Sequence, residues 1–263
     1  MKKYLYILKS ELMTSLQYTF DIISRLISYF ILIIIFVSLW KYIYSDPSQS
    51  INGYNIIQTI WYVIVTELIW TTVGTRIVTT NISNDIKEGN IIYKINKPYD
   101  YIAYNIFSHI GRIFLKFFIF IIFAGVIGYL LVGSFPPLSI PMFIIFLISA
   151  ILAVIVNTVL TIIIGLVSFY VEDSAPLYWV YTKLLLIFGT LFPVEFFPGI
   201  LSTILKYSPI VALSYGPGRL FVNFSYDLAW KIILAQIIYI IVFYIIAKII
   251  YKKGVKKLNV NGG

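Results

Sequence analysis

Residues 117–171 read FFIFIIFAGVIGYLLVGSFPPLSIPMFIIFLISAILAVIVNTVLTIIIGLVSFYV and contain no Asp, Glu, Lys or Arg. An apolar run of about 20 residues is long enough to cross a bilayer as a helix. The stretch is long enough for two such helices, separated by the Gly- and Pro-containing segment 133–138. It therefore predicts a protein whose main solvent is the bilayer.

The composition of the whole chain supports the same interpretation. Of its 263 residues, 60% are hydrophobic and 12% are charged, and the mean hydropathy is +0.93. A soluble domain carries roughly 25% charged residues. The apolar runs are continuous rather than alternating, which favours helices over a β-barrel. We therefore predict an all-α membrane protein.

The charge and the residue types also exclude some functions. The net charge of +9 is typical of cytoplasmic loops beside anionic headgroups, so we expect membrane lipids rather than nucleic acid as partners. The absence of cysteine from the sequence excludes disulfides and thiolate metal sites. The sequence has no Walker A pattern, so we expect no nucleotide site of that type. We predict no catalytic residue, no metal site and no cofactor in this chain.

Six segments are apolar and long enough to be transmembrane helices: 22–44, 56–80, 101–132, 139–171, 177–197 and 228–250. In the third segment, Arg112 and Lys116 lie in the first half. We therefore interpret 101–112 as an interfacial approach and 113–132 as the span proper. Six spans put both termini on one side of the membrane. Lys and Arg concentrate in the termini and in 81–116, which predicts cytoplasmic termini in a multi-pass protein of a prokaryotic cytoplasmic membrane.

Residues 1–20 are predicted to form an amphipathic cytoplasmic helix in the headgroup plane. Four leucines recur there at helical spacing: Leu5, Leu8, Leu12 and Leu16. The alternative is a cytoplasmic extension of the first span. Charged residues interrupt the apolar run, so we do not expect a cleavable signal. Residues 21–263 are expected to form a single transmembrane domain with a basic cytoplasmic tail at 251–263.

Residues 193–219 differ from the spans around them. Their apolar part is too short to cross a bilayer, and four prolines would each break or kink a helix: Pro193, Pro198, Pro209 and Pro217. We predict two short helices that dip in from the outer face as a re-entrant hairpin. Such a hairpin is tolerated only where protein or a water cavity shields its backbone. We expect Glu195 to be solvated at the membrane face.

Glu67 lies in the middle of the second predicted span. Intramembrane carboxylates usually face a bundle interior or a cavity, so one interpretation is a group that lines a pathway or holds a helix interface. The other is that Glu67 tilts towards the outer headgroups or is neutralised by protonation. We interpret His109, the only histidine, as an interfacial polar residue. For the polar patch of Asn157, Thr158 and Thr161 we favour helix packing.

Residues 84–100, NDIKEGNIIYKINKPYD, form a charged insert in this apolar chain. Asn84 is predicted to cap a short helix that has Asp85 and Glu88 in its first turn. Gly89–Asn90 is a turn or helix-stop signal. The insert therefore predicts one short helix and a turn on the cytoplasmic side.

The surface of this insert allows two interpretations. Ile91, Ile92 and Tyr93 are expected to be exposed beside charges of both signs, which suits docking to a protein. On physical grounds alone, an ordinary solvated loop is the simpler interpretation.

The order of these features resembles a type-2 ABC transporter permease, the membrane subunit of ABC exporters. The resemblance covers nearly the whole chain, including the N-terminal helix and the six spans. The insert NDIKEGNIIYKINKPYDYIAY is similar to the acidic-Gly-hydrophobic-Pro loop of that family. The prolines of FPVEFFPGILSTILKYSPIVALSYGP also fit the re-entrant segment before the last span.

The resemblance implies that residues 81–100 are a coupling loop, in which residues 84–98 couple to a groove of a separate ATPase subunit that binds ATP and Mg. The coupling contacts would be Asp85, Lys87, Glu88 and Gly89. The resemblance also implies a dimer, with itself or with a sister permease, and a path between protomers near the second and fifth spans. The outer gate would be the hairpin, with Pro193, Glu195 and Pro198. Glu67 is not part of the family pattern, so its place on the path stays a hypothesis.

Two other functions stay open. One is an ATP-independent carrier or channel that needs no soluble partner and uses Glu67. The other is an intramembrane enzyme acting on lipid, although the sequence lacks the His/Asp/Glu constellation that such chemistry usually needs. A neighbouring reading frame for a Walker-motif ATPase would favour the exporter. Peptide, drug, lipid and glycan all stay open as substrates.

Overall fold

A computed structural model describes residues 2–46 and 48–261 of the protein, with side chains described up to Lys257. Helices make up 82% of the structure, and the described residues contain no strand. The α-helices are, in chain order, α1 (Lys2–Ser15), α2 (Thr19–Ile43), α3 (Ile56–Val73), α4 (Arg76–Lys87), α5 (Ile91–Ile95), α6 (Tyr101–Val132), α7 (Ile140–Leu166), α8 (Ala175–Leu185), α9 (Gly199–Lys206), α10 (Gly216–Val222) and α11 (Tyr226–Asn261). Two π-helices, Leu186–Leu191 and Val211–Tyr215, and two 3₁₀ turns, Val167–Phe169 and Val194–Phe196, lie between them. The predicted all-α fold is confirmed.

Five helical segments of the described chain are long and apolar enough to cross a membrane: Thr19–Ile43, Ile56–Lys87, Tyr101–Val132, Ile140–Phe169 and Tyr226–Lys257. They correspond to five of the six predicted spans. The remaining predicted span, 177–197, corresponds to the shorter apolar helix Ala175–Leu191, which ends before Pro193. The count of six spans therefore stays a prediction.

The second predicted span is interrupted, which the sequence analysis missed. α3 begins at a capping box formed by Asn55 and Gln58. It ends at Val73, because Gly74 adopts the left-handed conformation with φ +48°. The chain then continues as α4. Every side chain from Thr59 to Ile69 is buried, so α3 is the central helix of the bundle.

α6 is one continuous helix, not an interfacial approach followed by a separate span. The carboxylate of Asp100 caps its first turn by accepting a hydrogen bond from the N–H of Ala103 at 2.9 Å. Its two cations have carboxylate partners on neighbouring helices. Arg112 contacts Glu11, and Lys116 contacts Asp21. These ion pairs allow the helix to continue through the positions at which the charges predicted a boundary.

α1 is a separate helix that packs on the first half of α6. The rings of Tyr4 and Phe107 stack at 5.3 Å. Glu11 accepts hydrogen bonds from Ser108 and from Arg112, both at 2.7 Å. Burial raises the pKa of the Glu11 carboxyl, but these hydrogen bonds outweigh it and hold the pKa below its ordinary value. Since a non-helical turn separates α1 from α2, α1 does not extend the first span as a continuous helix.

The segment before the last span contains the 3₁₀ turn Val194–Phe196, the short helix α9, and a π-helix that runs directly into α10. Pro198 precedes α9, and Pro209 lies between α9 and the second π-helix. Pro217 neither breaks nor ends its helix. It lies in the first turn of α10, directly after the π-helix, where proline is tolerated. The re-entrant path of this hairpin stays a prediction.

The predicted tail 251–263 continues the last helix. α11 runs from Tyr226 to Asn261, and residues 262–263 lie outside the described residues. In its C-terminal half, Lys248 forms an ion pair with Asp100. The tail therefore begins as part of a helix that is fixed to the start of α6.

The contact between α1 and α6 predicts an effect of adding a single methyl group. A Cβ at Gly111 would lie 2.5 Å from the backbone oxygen of Leu8, whereas a Cβ at Gly125 on the same helix would meet nothing within 4 Å. We expect Gly111→Ala to lower the free energy of unfolding by about 1–3 kcal/mol through overpacking. Gly125→Ala should be neutral or stabilising by up to about 1 kcal/mol. Thermal unfolding in detergent and proteolytic release of α1 measure both effects. Equal behaviour of the two variants would contradict this packing.

Candidate translocation cavity and coupling surface

A cavity of about 600 Å³ lies beside the interruption of the second span. Helices α2, α3, α4, α7 and α8 contribute to its wall. Its polar lining residues include Arg25, Glu67, Arg76, Asn157 and Tyr178. The cavity therefore combines one carboxylate and two guanidinium groups in a largely apolar bundle.

Glu67 is buried and faces this cavity. Its side chain is on the wall, and its residue is only 2% exposed. Oε1 accepts a hydrogen bond from Thr71 at 3.0 Å, while Oε2 has no partner among the described residues. The structure thus places Glu67 on one cavity wall with Arg25 and Arg76. Its role in transport stays a prediction.

The polar patch on α7 forms hydrogen bonds that connect helices. Asn157 accepts a hydrogen bond from the hydroxyl of Tyr181 on α8 at 2.6 Å. The carbonyl of Thr161 accepts one from Thr79 on α4 at 3.1 Å. Thr158 bonds back to the carbonyl of Val154 within its own helix. These contacts agree with the packing role that the sequence favoured.

His109 is not at an exposed membrane edge. The residue is 3% exposed and lies on the part of α6 that α1 covers. Neither ring nitrogen has a hydrogen-bond partner within the part of the chain that the structure describes. The interfacial prediction was made from the charged neighbour Arg112, whose partner on α1 was not apparent from the sequence.

The charged insert begins inside a helix. Asn84 was predicted to cap a helix, but it lies in the last turn of α4, which begins at Arg76. The predicted stop at Gly89–Asn90 is confirmed, because α4 ends at Lys87 and Gly89 has φ +73°. α5 follows directly. The insert therefore contains the end of one helix, a left-handed turn and a second short helix.

Asp85 points into the protein rather than out of the loop. The residue is buried, and its carboxylate accepts hydrogen bonds from Lys94 at 2.6 and 2.7 Å and from the Tyr101 hydroxyl at 2.7 Å. This interaction joins α4, α5 and α6. Sequence reasoning missed Lys94 and Tyr101, because spacing alone does not show that they converge on one carboxylate.

Fewer apolar side chains of the insert are exposed than the sequence predicted. Ile91 was expected to be exposed, but it is fully buried against the cluster around Ile82. Ile92 and Tyr93 are 53% and 74% exposed. Glu88 is also on the surface, where it accepts a hydrogen bond from Asn90 at 2.8 Å. The exposed part therefore combines one acidic residue and two large apolar side chains with two lysines, Lys87 and Lys97.

Three polar contacts fix the insert to α1 and to the segment before α8. Lys87 forms an ion pair of 3.1 Å with Asp173, which precedes α8. Lys3 of α1 donates a hydrogen bond to the carbonyl of Pro98, and the N–H of Asp100 donates one to the hydroxyl of Tyr4.

The ion pair between Asp100 and Lys248 adds α11 to this set. Burial raises the pKa of the Asp100 carboxyl, but hydrogen bonds from Lys248 and from the N–H of Ala103 outweigh it and keep the pKa below its ordinary value. Sequence reasoning missed Asp100, Asp173 and Lys248 as contact residues of the insert. Their partners lie far away in the chain, so no local signal identified them.

The sequence analysis expected Glu195 to be solvated, but its carboxylate has partners within the protein. Its carboxylate accepts hydrogen bonds from Tyr215 at 2.5 Å and from Tyr54 at 3.0 Å, and it lies 3.5 Å from Nε of Arg219. Of the other predicted gate residues, Pro193 is buried and Pro198 is exposed. This cluster joins the start of the second span to the hairpin.

Among the described residues, no group of three or more His, Cys, Asp or Glu side chains is arranged to hold a metal ion. No curated protein matches the chain. The family model described as ABC-2 family transporter protein matches residues 26–262, which includes every predicted span except the first few residues of the first. The apolar helices agree with a multi-pass membrane protein. The chain therefore belongs to the ABC-2 family of transporter proteins, as the membrane subunit of a transporter.

Proposed function

We propose that this chain is the permease subunit of an ATP-driven exporter. It acts as a dimer, either with itself or with a sister permease, and each copy binds a separate ATPase that carries ATP and Mg. The observation that carries the proposal is the insert at 81–100. Glu88, Ile92 and Tyr93 are on the exposed surface of this insert, whereas the buried carboxylate of Asp85 holds the insert to the rest of the protein.

The insert has the properties of a rigid coupling element. Its outer face offers an acidic residue and apolar area for a groove of the ATPase. Its inner face is held by the buried contacts of Asp85 and by the burial of Ile91. A movement of the ATPase against the exposed surface of the insert is therefore transmitted to α4 and α6, because the insert is held rigidly.

This geometry divides the four predicted coupling residues into different roles. Glu88 is the contact residue that faces the partner. Gly89 supplies the left-handed turn between α4 and α5. Lys87 connects the insert to the segment before α8 through Asp173. Asp85 holds the insert in shape and does not touch the ATPase.

The substrate path begins at the cavity beside Glu67. Its volume of about 600 Å³ lies within the range of roughly 300–1,000 Å³ that is typical of small-molecule sites. Its wall includes α3 of the second span and Tyr178 of α8. Those are the regions where the family resemblance puts the path between protomers. Since α4 lines the same cavity, a movement of the insert changes its shape.

The outer end of the path is closed by the cluster around Glu195. Its bonds to Tyr54, Tyr215 and Arg219 connect the second span to the hairpin. Opening the gate requires that these bonds break or move together. The prolines at 193 and 198 limit the backbone of the segment that carries Glu195.

The second candidate is an ATP-independent carrier centred on Glu67. The unpartnered oxygen of this buried carboxylate favours it, because intramembrane carboxylates often mark ion or proton pathways. A carrier needs no soluble ATPase, so partner binding separates the two candidates.

Charge reversal on the outer face tests the coupling role. Glu88→Lys should strongly reduce co-purification of the ATPase from native membranes, because it changes the charge at the proposed contact. Membrane insertion and thermal unfolding should be unchanged, since Glu88 is exposed and bonds only locally. Asp227→Lys, at the exposed opposite end of α11, is the control. Normal ATPase recovery with Glu88→Lys at matched expression would count against the coupling surface.

Because Asp85 anchors the insert, its substitution should lower the free energy of unfolding, whereas Glu88→Lys should leave unfolding unchanged. Asp85→Asn leaves Lys94 without its carboxylate partner. Because Lys94 is 35% exposed, we expect a loss of about 2 kcal/mol in unfolding free energy, less than for a fully buried pair. Tyr101→Phe should cost about 1–2 kcal/mol by removing one hydrogen bond to the charged group. Unfolding in detergent measures both. Wild-type stability of Asp85→Asn, with lost ATPase binding, would instead make Asp85 a contact residue.

Thiol labelling tests whether the cavity is part of the path. The protein has no cysteine, so Glu67→Cys and the control Thr158→Cys each introduce one thiol. Thr158 is fully buried on α7. We expect a small anionic methanethiosulfonate to label position 67 from the cytoplasmic side, because Arg25 and Arg76 remain on the cavity wall, and to leave position 158 unreacted. The rate at 67 should change when the ATPase hydrolyses ATP. A labelling rate at position 67 that does not change with ATP hydrolysis would favour the carrier. If neither thiol reacts, the cavity is not part of the path.

A further inference from the structure

A second cavity, of about 480 Å³, lies at the turn between α1 and α2. Its wall is completed by the end of α3, the start of α4 and the first half of α6. It shares Arg25, Val73, Gly74 and Ile77 with the Glu67 cavity, and its other lining residues are different. None of the roles proposed above uses this second cavity.

The lining of this cavity carries an excess positive charge. Arg112 pairs with Glu11 at 2.7 Å. Asp21 serves two cations, Lys116 at 2.5 Å and Arg25 at 2.9 Å. Three cations therefore face two carboxylates on the wall of one cavity. An anion that enters it finds one net positive charge that the protein does not balance locally.

Arg25 and Lys116 also have N–H donors that their contacts with Asp21 do not use and from which a ligand could accept hydrogen bonds. Arg25 uses Nε to contact Asp21. Its Nη1 lies at the cavity wall, 3.2 Å from the place where a Cβ at Gly74 would be. Lys116 uses one bond to Asp21, whereas an ammonium group has three donors.

One buried polar side chain on the same wall has no partner. Thr72 and His109 both line this cavity, and each residue is 3% exposed. The hydroxyl of Thr72 lacks a hydrogen bond among the described residues, whereas the His109 ring lies beside the backbone of Val73. Buried polar groups are nearly always paired, and an unpaired one is costly. The unpaired hydroxyl of Thr72 therefore indicates that a polar ligand completes the site.

We propose that this cavity binds a phosphate group, supplied by the headgroup of an anionic phospholipid. A phosphate accepts several hydrogen bonds at once and bonds strongly to Arg and Lys. The cavity lies on the side where Lys and Arg concentrate, which is the side of the anionic cytoplasmic leaflet.

The surface beside the cavity favours a lipid as the source of that phosphate. Leu16, Phe20 and Ile23 on and next to the α1–α2 turn are 54%, 84% and 54% exposed. Acyl chains would cover these side chains while the headgroup occupies the cavity. A bound lipid would thereby fix the α1–α2 turn to the interruption at Gly74. A free phosphate monoester shares the headgroup chemistry but leaves this apolar surface uncovered.

The test uses the full chain, purified in detergent with its co-purified lipid removed. Phosphatidylglycerol, phosphatidylcholine and glycerol 3-phosphate are titrated separately, with thermal shift and native mass spectrometry as readouts. The variants are Lys116→Gln, which removes one cation, and Thr72→Val, which removes the unpartnered hydroxyl at nearly constant volume. Thr158→Val and Lys231→Gln are the matched controls, because neither residue lines the cavity.

We expect phosphatidylglycerol to bind more tightly than the zwitterionic phosphatidylcholine. Lys116→Gln should weaken its binding by about tenfold, the effect of one charge-assisted hydrogen bond. Thr72→Val should weaken it several-fold while leaving the lipid-free melting temperature unchanged or raised, so a folding defect cannot mimic the result. Both controls should bind as the wild type does.

The soluble probe separates the two sources of phosphate. Weak or absent binding of glycerol 3-phosphate supports the lipid, whereas equal binding with the same dependence on Lys116 and Thr72 supports a phosphate site that takes soluble esters. Phosphatidylglycerol binding that Lys116→Gln and Thr72→Val leave unchanged would overturn the proposal. Equal binding of the two lipids would overturn it as well.

Discussion

Hydrocarbon offers no hydrogen-bond partners, so a polar group inside a bilayer must find its partner within the protein. Two clusters of paired polar side chains lie towards opposite ends of the second predicted span. At one end, Asp85 binds Lys94 and Tyr101. At the other, Glu195 binds Tyr54, Tyr215 and Arg219. The proposed coupling element and the proposed gate are these two clusters. Between them, Glu67 is an intramembrane carboxylate that has one oxygen without a partner among the described residues.

The same constraint explains where the helices are irregular. The π-helix at Leu186–Leu191 changes the backbone hydrogen-bond pattern, and side chains of α3 bond to its carbonyls. Tyr62 donates to Gly189 and Thr66 to Thr190, both at 2.8 Å. π-helical turns are frequently found at functional sites. Here they lie next to the central helix, where a change in helix length or direction would reach both the cavity and the outer cluster.

Much of the fold could be predicted because it depends on local pattern. Long apolar runs located five membrane-crossing helices, and Gly89 marked the end of α4. What the sequence did not show are contacts between side chains that lie far apart in the chain. The surroundings of Asp85 were missed because the sequence does not show Lys94 and Tyr101 converging on it. Glu195 was expected in solvent for the same reason. The interruption at Gly74 was missed because a single glycine after an apolar helix does not show by itself that the backbone adopts the left-handed conformation there.

The central claim is that the exposed face of the insert seats in a separate ATPase. Because the protein has no cysteine, Tyr93→Cys gives a single thiol on that face, and Tyr226→Cys gives one at the start of α11, where Tyr226 is also exposed. A short thiol-to-amine cross-linker would be applied to native membranes and the adducts identified by mass spectrometry. The account predicts a cross-link from position 93 to a Walker-motif ATPase and none from position 226. The absence of an ATPase adduct at position 93, with the protein intact in the membrane, would contradict it.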